Sequence, residues 1–187
     1  MDVKGILALA STRLASGGGL AYGLHVVDFD PIAEAHRQWS ARWPEHADHM
    51  AAVTSVMRVQ QLLISLVEET LKPYGLTFAA FEALRLLAFA RQGSLPMGKI
   101  GERLMVHPAS VTNAIRKLES RGLVQRNLSP DDRRIVLASI SDDGRAVVAA
   151  ATDALNEADF GLPNPPRERA AEIIAALREV RTAAGDA

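Results

Sequence analysis

The fold is decided by residues 94–140, which read SLPMGKIGERLMVHPASVTNAIRKLESRGLVQRNLSPDDRRIVLASI. The spacing of its apolar residues predicts a short helix from Ser94 to Met105 and a second helix from Ala109 to Ser120. His107-Pro108 separates the two, because proline ends one helix and suits the first position of the next. Arg121-Gly122 then stops the second helix. Two short helices joined by a tight turn are therefore expected.

The rest of this stretch has a different periodicity. Leu123 to Arg126 and Ile135 to Ile140 are β-type segments, and Ser129-Pro130-Asp131-Asp132 joins them as a turn. A hairpin with a charged tip is predicted directly after the helix pair. The order of helix, turn, helix and hairpin is typical of a winged helix-turn-helix, whose second helix can enter the major groove of duplex DNA.

The second helix has an apolar side and a polar side. Val111, Ile115 and Leu118 recur at intervals of four and three and are expected to face the core. The opposite side carries groups that can donate to phosphates or bond to base edges. A solvated helix face is the alternative interpretation. We interpret five polar residues of this side as DNA contacts: Ser110, Thr112, Asn113, Arg116 and Lys117.

Charge is distributed unevenly along the chain. Its 187 residues have a formal net charge of −1, yet residues 94–140 hold eight Lys and Arg against four Asp and Glu. A nearly neutral protein thus concentrates positive charge on the candidate DNA-reading unit. This is the electrostatic footprint expected of a protein that binds a phosphate backbone.

The hairpin tip carries Asp132-Arg133-Arg134. One arginine is expected to enter the minor groove, where the potential is most negative, while Asp132 pairs with the other and supports the wing. The alternative is a charged turn that prevents aggregation through the sheet edge.

Amphipathic helices are predicted on both sides of this unit. Before it we expect a helix opened by Asp30-Pro31, a longer one from Asp48 to Lys72, and one capped by Thr77. After it we expect helices from Ser141 to Phe160 and from Arg167 to Ala183. The predicted fold class is mainly α with a small β-hairpin wing, a winged helix-turn-helix with flanking dimerisation helices.

The flanking helices indicate a homodimer. The long helix and the last helix carry broad apolar faces that one small winged unit cannot cover alone. A helical bundle within one chain is the alternative. The expected domains are a flexible N-terminal arm (1–27), an N-terminal extension with dimerisation helices (28–75), the winged DNA-binding domain (76–141) and C-terminal dimerisation helices (142–187).

Several features bear on location. The chain has no cysteine, which excludes disulfides and thiolate metal sites. Lys4 before the apolar residues 6–10 faintly suggests a signal peptide, but Gly17-Gly18-Gly19 follows without a cleavage site, so we expect a mobile arm. No uninterrupted apolar run approaches the roughly 20 residues that span a bilayer. We expect a cytoplasmic protein with no membrane partner.

Three motifs together resemble the MarR family of bacterial regulators. They are LTFAAFEALRLL (76–87), VTNAIRKLESRGLV (111–124), and DDRRIVL (131–137) followed by SDDG (141–144). The resemblance covers about residues 48–183. It implies a homodimer with intertwined terminal helices that binds an inverted-repeat operator, by default as a repressor. It also implies release by a small molecule bound between the dimerisation helices and the winged unit.

The helix containing Trp39 resembles the N-terminal extension of the urate-responsive branch of that family. The resemblance places Trp39, Glu82 and Arg126 in a ligand pocket, but Ala114 stands where a pocket arginine is expected. We therefore expect a small aromatic or amphipathic ligand rather than urate. The alternative role for Trp39 is an anchor in the core or at an interface.

Other functional classes have little support in the sequence. The glycine triplet lacks the strand and the Lys-Ser or Lys-Thr of a phosphate loop, and no serine sits in a strand-turn-helix elbow, so no enzyme is expected. His46 and His49 share a spacing of three without a third ligand, so neither a metal nor a cofactor is expected. The main alternative is a winged-helix module that binds proteins without reading DNA.

Overall fold

The computed structural model describes residues 29–104, 108–162 and 167–186. The predicted arm and its glycine triplet lie outside the described residues. In chain order the elements are α1 (Pro31–Ser40), α2 (Pro44–Leu71), a 3-10 turn (Lys72–Tyr74), α3 (Phe78–Phe89), β1 (Ser94–Pro96), α4 (Met97–Leu104), α5 (Pro108–Glu119), β2 (Val124–Leu128), β3 (Val136–Ile140), α6 (Asp142–Glu157), a second 3-10 turn (Asp159–Gly161) and α7 (Arg167–Ala183).

The core lies where α3, α5, α6 and the base of the sheet meet. Leu84 of α3, Ile115 of α5 and Val147 of α6 are each fully buried. The end of α2 joins the same core through Val67 and Leu71. These side chains complete a hydrophobic core within the single chain, so α5 is held by packing on its inner face.

The sheet has three strands, in the order β1-β3-β2, all antiparallel. Val124 to Leu128 pairs with Ile140 to Val136, which confirms the predicted hairpin. The prediction that Ser94–Pro96 belongs to a helix was wrong, because these residues pair with β3 and Ser94 lies opposite Ser139. Proline suits this short edge strand, since it cannot donate to an inner ladder.

Helix starts follow the predicted capping residues. The Asp30 carboxylate accepts hydrogen bonds from the backbone N–H groups of Ile32 and Ala33. The Thr77 hydroxyl accepts from Ala80 at the start of α3, and the Ser141 hydroxyl accepts from Gly144 at the start of α6. Each cap satisfies donors that have no partner within the helix.

Helix α2 begins at Pro44, four residues before the predicted start, with proline in its first turn. An 18-residue window within the stretch Pro44–Tyr74 has a mean hydropathy of 1.5, so by length and composition it could cross a membrane. The prediction from uninterrupted apolar runs did not identify this segment. Isolated polar residues such as Arg58 interrupt each run, but the mean hydropathy of the window stays high. The C-terminal end of α2 instead packs into the core of the winged unit.

Helix α7 contrasts with the core helices. Every described residue from 171 to 186 is exposed, including Ile174 and Val180. Its bounds match the predicted last helix. The fold class is therefore confirmed as a mainly helical winged helix-turn-helix, in which a compact winged unit is joined to helices whose apolar faces are open.

Candidate nucleic-acid interface

Helix α5 presents the five predicted contact residues on its outer side. Ser110, Thr112, Asn113, Arg116 and Lys117 are all exposed. On the inner side Val111, Ile115 and Leu118 are at most 2% exposed. The apolar periodicity of the sequence thus orients the helix correctly, and the polar side is left facing solvent.

Two of these side chains contact each other. The Arg116 guanidinium donates to the Asn113 carboxamide oxygen at 3.1 Å, one helical turn away. This contact holds the amide and the guanidinium on one surface of the helix. Asparagine is suited to the edge of adenine and arginine to the edge of guanine.

The wing tip is ordered by Asp132. Its carboxylate accepts from the Arg134 guanidinium at 3.1 and 3.2 Å and from the Arg134 backbone N–H at 2.9 Å. These hydrogen bonds hold the pKa of Asp132 below its usual value. Among the described residues, no ion pair engages Arg133. The tip therefore has one fixed arginine and one whose charge is not neutralised by a neighbouring acid.

The end of α5 is tied to the wing by an ion pair that the sequence did not reveal. Arg126 of β2 lies 2.6 Å from the Glu119 carboxylate through Nη2 and 2.7 Å through Nε. Hydrogen bonding to Arg126 lowers the pKa of Glu119. The two residues are seven apart in different elements, so no helical spacing could indicate their contact.

A second connection joins the end of α5 to the end of α2. Arg121, just after α5, donates to the carbonyl oxygens of Gly75 at 2.6 Å and Tyr74 at 2.8 Å. Burial lowers the pKa of its guanidinium. Gly75 adopts a positive φ of 64° to end the 3-10 turn after α2. Arg121 thereby connects the end of α5 to the end of α2.

The three predicted ligand residues lie in different settings. The Trp39 ring packs against Trp43, with centroids 4.9 Å apart, and stays partly exposed. Glu82 is half-buried, and burial raises its pKa. Arg126 is engaged by Glu119 as described. No hydrogen bond or ion pair within the described ranges joins these three residues, so their shared pocket stays a prediction.

Metal ligands show no clustering in the part of the chain that the structure describes: no group of three or more His, Asp or Glu residues there could hold an ion. The His46 imidazole lies 3.8 Å from the carboxylate of its neighbour Glu45. His107 lies outside the described residues.

Comparison with known proteins places the chain in a family. A family model described as the MarR family matches residues 76–136. The HTH-type transcriptional regulator YhbI of Bacillus subtilis is 34% identical over 86 residues, which are 46% of this chain and 54% of YhbI. The chain thus aligns with about half the length of the first curated relatives it matches.

Solved structures extend the match. Sco5413, a MarR family transcriptional regulator from Streptomyces coelicolor, is 54% identical with a TM-score of 0.69, covering 74% of this chain and 96% of its own. Sco3205, a MarR family regulator from the same organism solved in complex with DNA, shares the fold at 23% identity and a TM-score of 0.60, covering 71% of this chain and 87% of its own. Because 54% of the aligned residues are identical to those of Sco5413 and the alignment covers 96% of that protein, the chain belongs to the MarR family.

Proposed function

We propose that this protein is a transcriptional regulator that binds an inverted-repeat DNA operator as a homodimer. One observation carries the proposal: the outer side of α5 exposes Asn113, Arg116 and Lys117 while its inner side is locked in the core. A helix held in this way can lie in a major groove about 12 Å wide and present polar side chains to base edges.

The wing supplies a second contact in this proposal. Asp132 holds Arg134, so Arg133 is the arginine assigned to the minor groove, whose negative potential attracts a guanidinium. Ser110, Thr112 and Lys117 are assigned to the phosphate backbone, where contacts set the position of the protein. The DNA complex of Sco3205 supports this assignment by showing that a relative of the same fold binds DNA.

The open apolar faces are assigned to a second copy of the chain. Most of the stability of a helix in a protein comes from packing of its apolar face, so α7, whose apolar residues are exposed, requires a partner surface. Val53, Val56 and Met57 of α2 are each more than half exposed and offer the same kind of surface. Two-fold pairing of α2 and α7 would cover both faces and would explain the membrane-like composition of α2 without a membrane.

Repression and release by a small ligand complete the proposal. Glu82 supports it as a half-buried carboxylate that no hydrogen bond or ion pair satisfies within the described chain. We assign Trp39, Glu82 and Arg126 to a small aromatic or amphipathic ligand, with Arg121 as the link by which movement of α2 reaches α5. The proposal assigns the protein no catalytic step and locates it in the cytoplasm with the DNA.

Fluorescence anisotropy tests DNA binding. A labelled duplex from the protein's own upstream region is titrated in parallel with a shuffled duplex over a series of salt concentrations. We expect preference for the genuine duplex, affinity that falls steeply with salt, and loss of the preference in Arg116→Ala. Arg42→Ala, which removes an exposed arginine of the N-terminal extension, is the matched control. Absence of binding to both duplexes at low salt would contradict the proposal and favour a protein-binding module.

A further inference from the structure

Arg116 of α5 lies between two polar side chains, each about one helical turn away. Asn113 precedes it by three residues and Glu119 follows it by three. Side chains at this spacing are neighbours on a helix surface, so both lie within reach of the Arg116 guanidinium. The partner decides the charge that Arg116 presents, because the Asn113 amide is neutral whereas the Glu119 carboxylate would neutralise the guanidinium.

In the structure Arg116 binds the neutral partner. Its Nη2 donates to the Asn113 Oδ1 at 3.1 Å. Among the described residues, no ion pair includes Arg116. A guanidinium carries five N–H donors, and this contact uses one of them. The other donors and the full positive charge are left for a base edge or a phosphate.

Arg126 of β2 binds the carboxylate that Arg116 does not. Its Nη2 and Nε donate to the same Glu119 oxygen, at 2.6 and 2.7 Å. The Arg126 and Glu119 side chains are 36% and 33% exposed. A contact with two donors in this setting is stronger than a single exposed pair on a helix surface, so Arg126 competes successfully with Arg116 for Glu119.

The packing of the winged unit holds Arg126 and Glu119 at this distance. Arg126 lies opposite Ala138 in the β2–β3 pair, and Ala138 is fully buried. Leu118, next to Glu119, is 1% exposed and fixes the end of α5 in the core. The ion pair therefore joins α5 to the base of the wing and forms without DNA.

We propose that Arg126 is a positioning residue for DNA reading. By pairing with Glu119 it keeps that carboxylate away from Arg116, which retains its charge and its place beside Asn113. Without Arg126, Glu119 turns to Arg116 and removes it from the base edge. This role rests on the proposed DNA-binding function and is independent of the ligand assigned to Arg126.

Anisotropy of the ligand-free full chain with the genuine and the shuffled duplex tests the proposal. Arg126→Gln should reduce the preference for the genuine duplex at least about tenfold, as for the loss of one base contact. Glu119→Gln/Arg126→Gln should restore the preference, because no carboxylate is then left to pair with Arg116. Arg37→Gln, which removes an exposed arginine paired with Glu34 on α1, is the matched control and should behave like the unmodified protein.

A further variant separates this role from a simple loss of charge. Arg126→Gln/Glu102→Gln restores the same net charge by removing a carboxylate that pairs with Lys99 at 2.7 Å on α4, and it should not restore the preference. Equal weakening of both duplexes in Arg126→Gln would overturn the proposal. A Glu119→Gln/Arg126→Gln variant without recovery would also overturn it, since Arg126 would then contact DNA or support the wing. Thermal melts followed by circular dichroism confirm that each variant is folded.

A titration without DNA follows the exchange of partners itself. Carbon-13 NMR gives the pKa of the Glu119 carboxyl, whose signal is assigned by its loss in Glu119→Gln. In Arg126→Gln this pKa should stay below the ordinary 4.5, because Arg116 now bonds to the charged form. In Arg116→Gln/Arg126→Gln it should rise towards that value. Equal pKa values in the two variants would overturn this inference and leave the proposed function standing, whereas an unmodified protein that binds neither duplex at low salt would contradict both.

Discussion

The winged unit and the terminal helices differ in how far their apolar residues are buried within one chain. In the winged unit Leu84, Ile115 and Val147 are fully buried by neighbours from the same chain. In α7 the apolar residues Ile174 and Val180 are 56% and 65% exposed, although they form a stripe with Leu177 at intervals of three residues. A single copy of the chain covers the apolar core residues of the winged unit. The apolar residues of α7 are not covered by any other described part of the chain.

This difference shows what hydrophobic periodicity can and cannot establish. A stripe of apolar residues identifies the face of a helix that avoids water, but it does not say whether the same chain or another one covers it. The face predicted from Val53 to Leu71 illustrates the point within a single helix. Val67 and Leu71 are buried in the core, and Val53 is 53% exposed.

The largest effect is expected in the core of the winged unit. Ile115→Ala removes fully buried methyl and methylene groups and leaves a cavity, so it should lower the free energy of unfolding by about 2–5 kcal/mol. Val180→Ala alters a helix that contributes no side chain to this core, so it should leave the unfolding of the winged unit itself nearly unchanged. Chemical denaturation measures both. Equal losses of unfolding free energy in the two variants would contradict the difference in packing between the winged unit and the terminal helices.

The next effect concerns the terminal helices. Charges introduced by Ile174→Glu/Leu177→Glu would have to be desolvated in the proposed dimer interface, so we expect a monomer at micromolar concentration. Operator affinity should fall at least about 100-fold, because two half-sites are no longer bound together. Light scattering coupled to size-exclusion chromatography gives the mass. A variant that stays dimeric, or an unmodified protein that is monomeric, would refute this interface.

Much of this architecture was predictable from the sequence because it depends on local signals. Caps such as Asp30, Thr77 and Ser141 and the stop at Gly122 require only residue type and near neighbours. The strand Ser94–Pro96 was missed, because three residues carry no periodicity and acquire their structure from pairing with β3. The Glu119–Arg126 ion pair and the Arg121 contacts with Tyr74 and Gly75 were missed because they depend on tertiary folding.

At the wing, the two arginines should differ in their effects. Arg133→Ala should weaken operator binding by about tenfold and reduce the slope of log affinity against log salt by about one, as for the loss of one charged contact. Arg134→Ala should reduce affinity less, because Asp132 already neutralises that guanidinium. Anisotropy over a salt series compares them. A larger loss for Arg134→Ala would reverse the assigned roles.

A smaller change is expected at the cap between the wing and α6. The Ser141 hydroxyl accepts from Gly144 N–H and donates to the Gly122 carbonyl at 2.7 Å. Ser141→Ala should therefore lower the free energy of unfolding by about 1 kcal/mol. Ser120→Ala, which removes only a solvent-exposed hydroxyl at the end of α5, should have a smaller effect. Chemical denaturation of the two variants gives the comparison, and equal losses would mean that the cap contributes nothing of its own.

The smallest effect is a pH dependence of stability. The pKa of Glu119 is below its ordinary value of 4.5 because Arg126 bonds to its charged form. Its stabilising contribution is thus fully present above pH 4.5 and is lost as the pH falls through the lowered pKa. Glu119→Gln should flatten the dependence of the melting temperature on pH in this acidic range. An unchanged profile would mean that the ion pair does not stabilise the fold in solution.

Selection from a pool of randomised duplexes tests the central claim most directly, since the pool contains every candidate half-site and the protein itself selects the operator. The account predicts enrichment of an inverted repeat whose half-sites are centred about 10–10.5 base pairs, or a multiple of that distance, apart. It also predicts that Arg116→Ala loses the preferred base at one position in each half-site. Recovery of sequences without a shared motif, or of a single half-site without two-fold symmetry, would contradict the claim that a dimer of winged units reads DNA sequence.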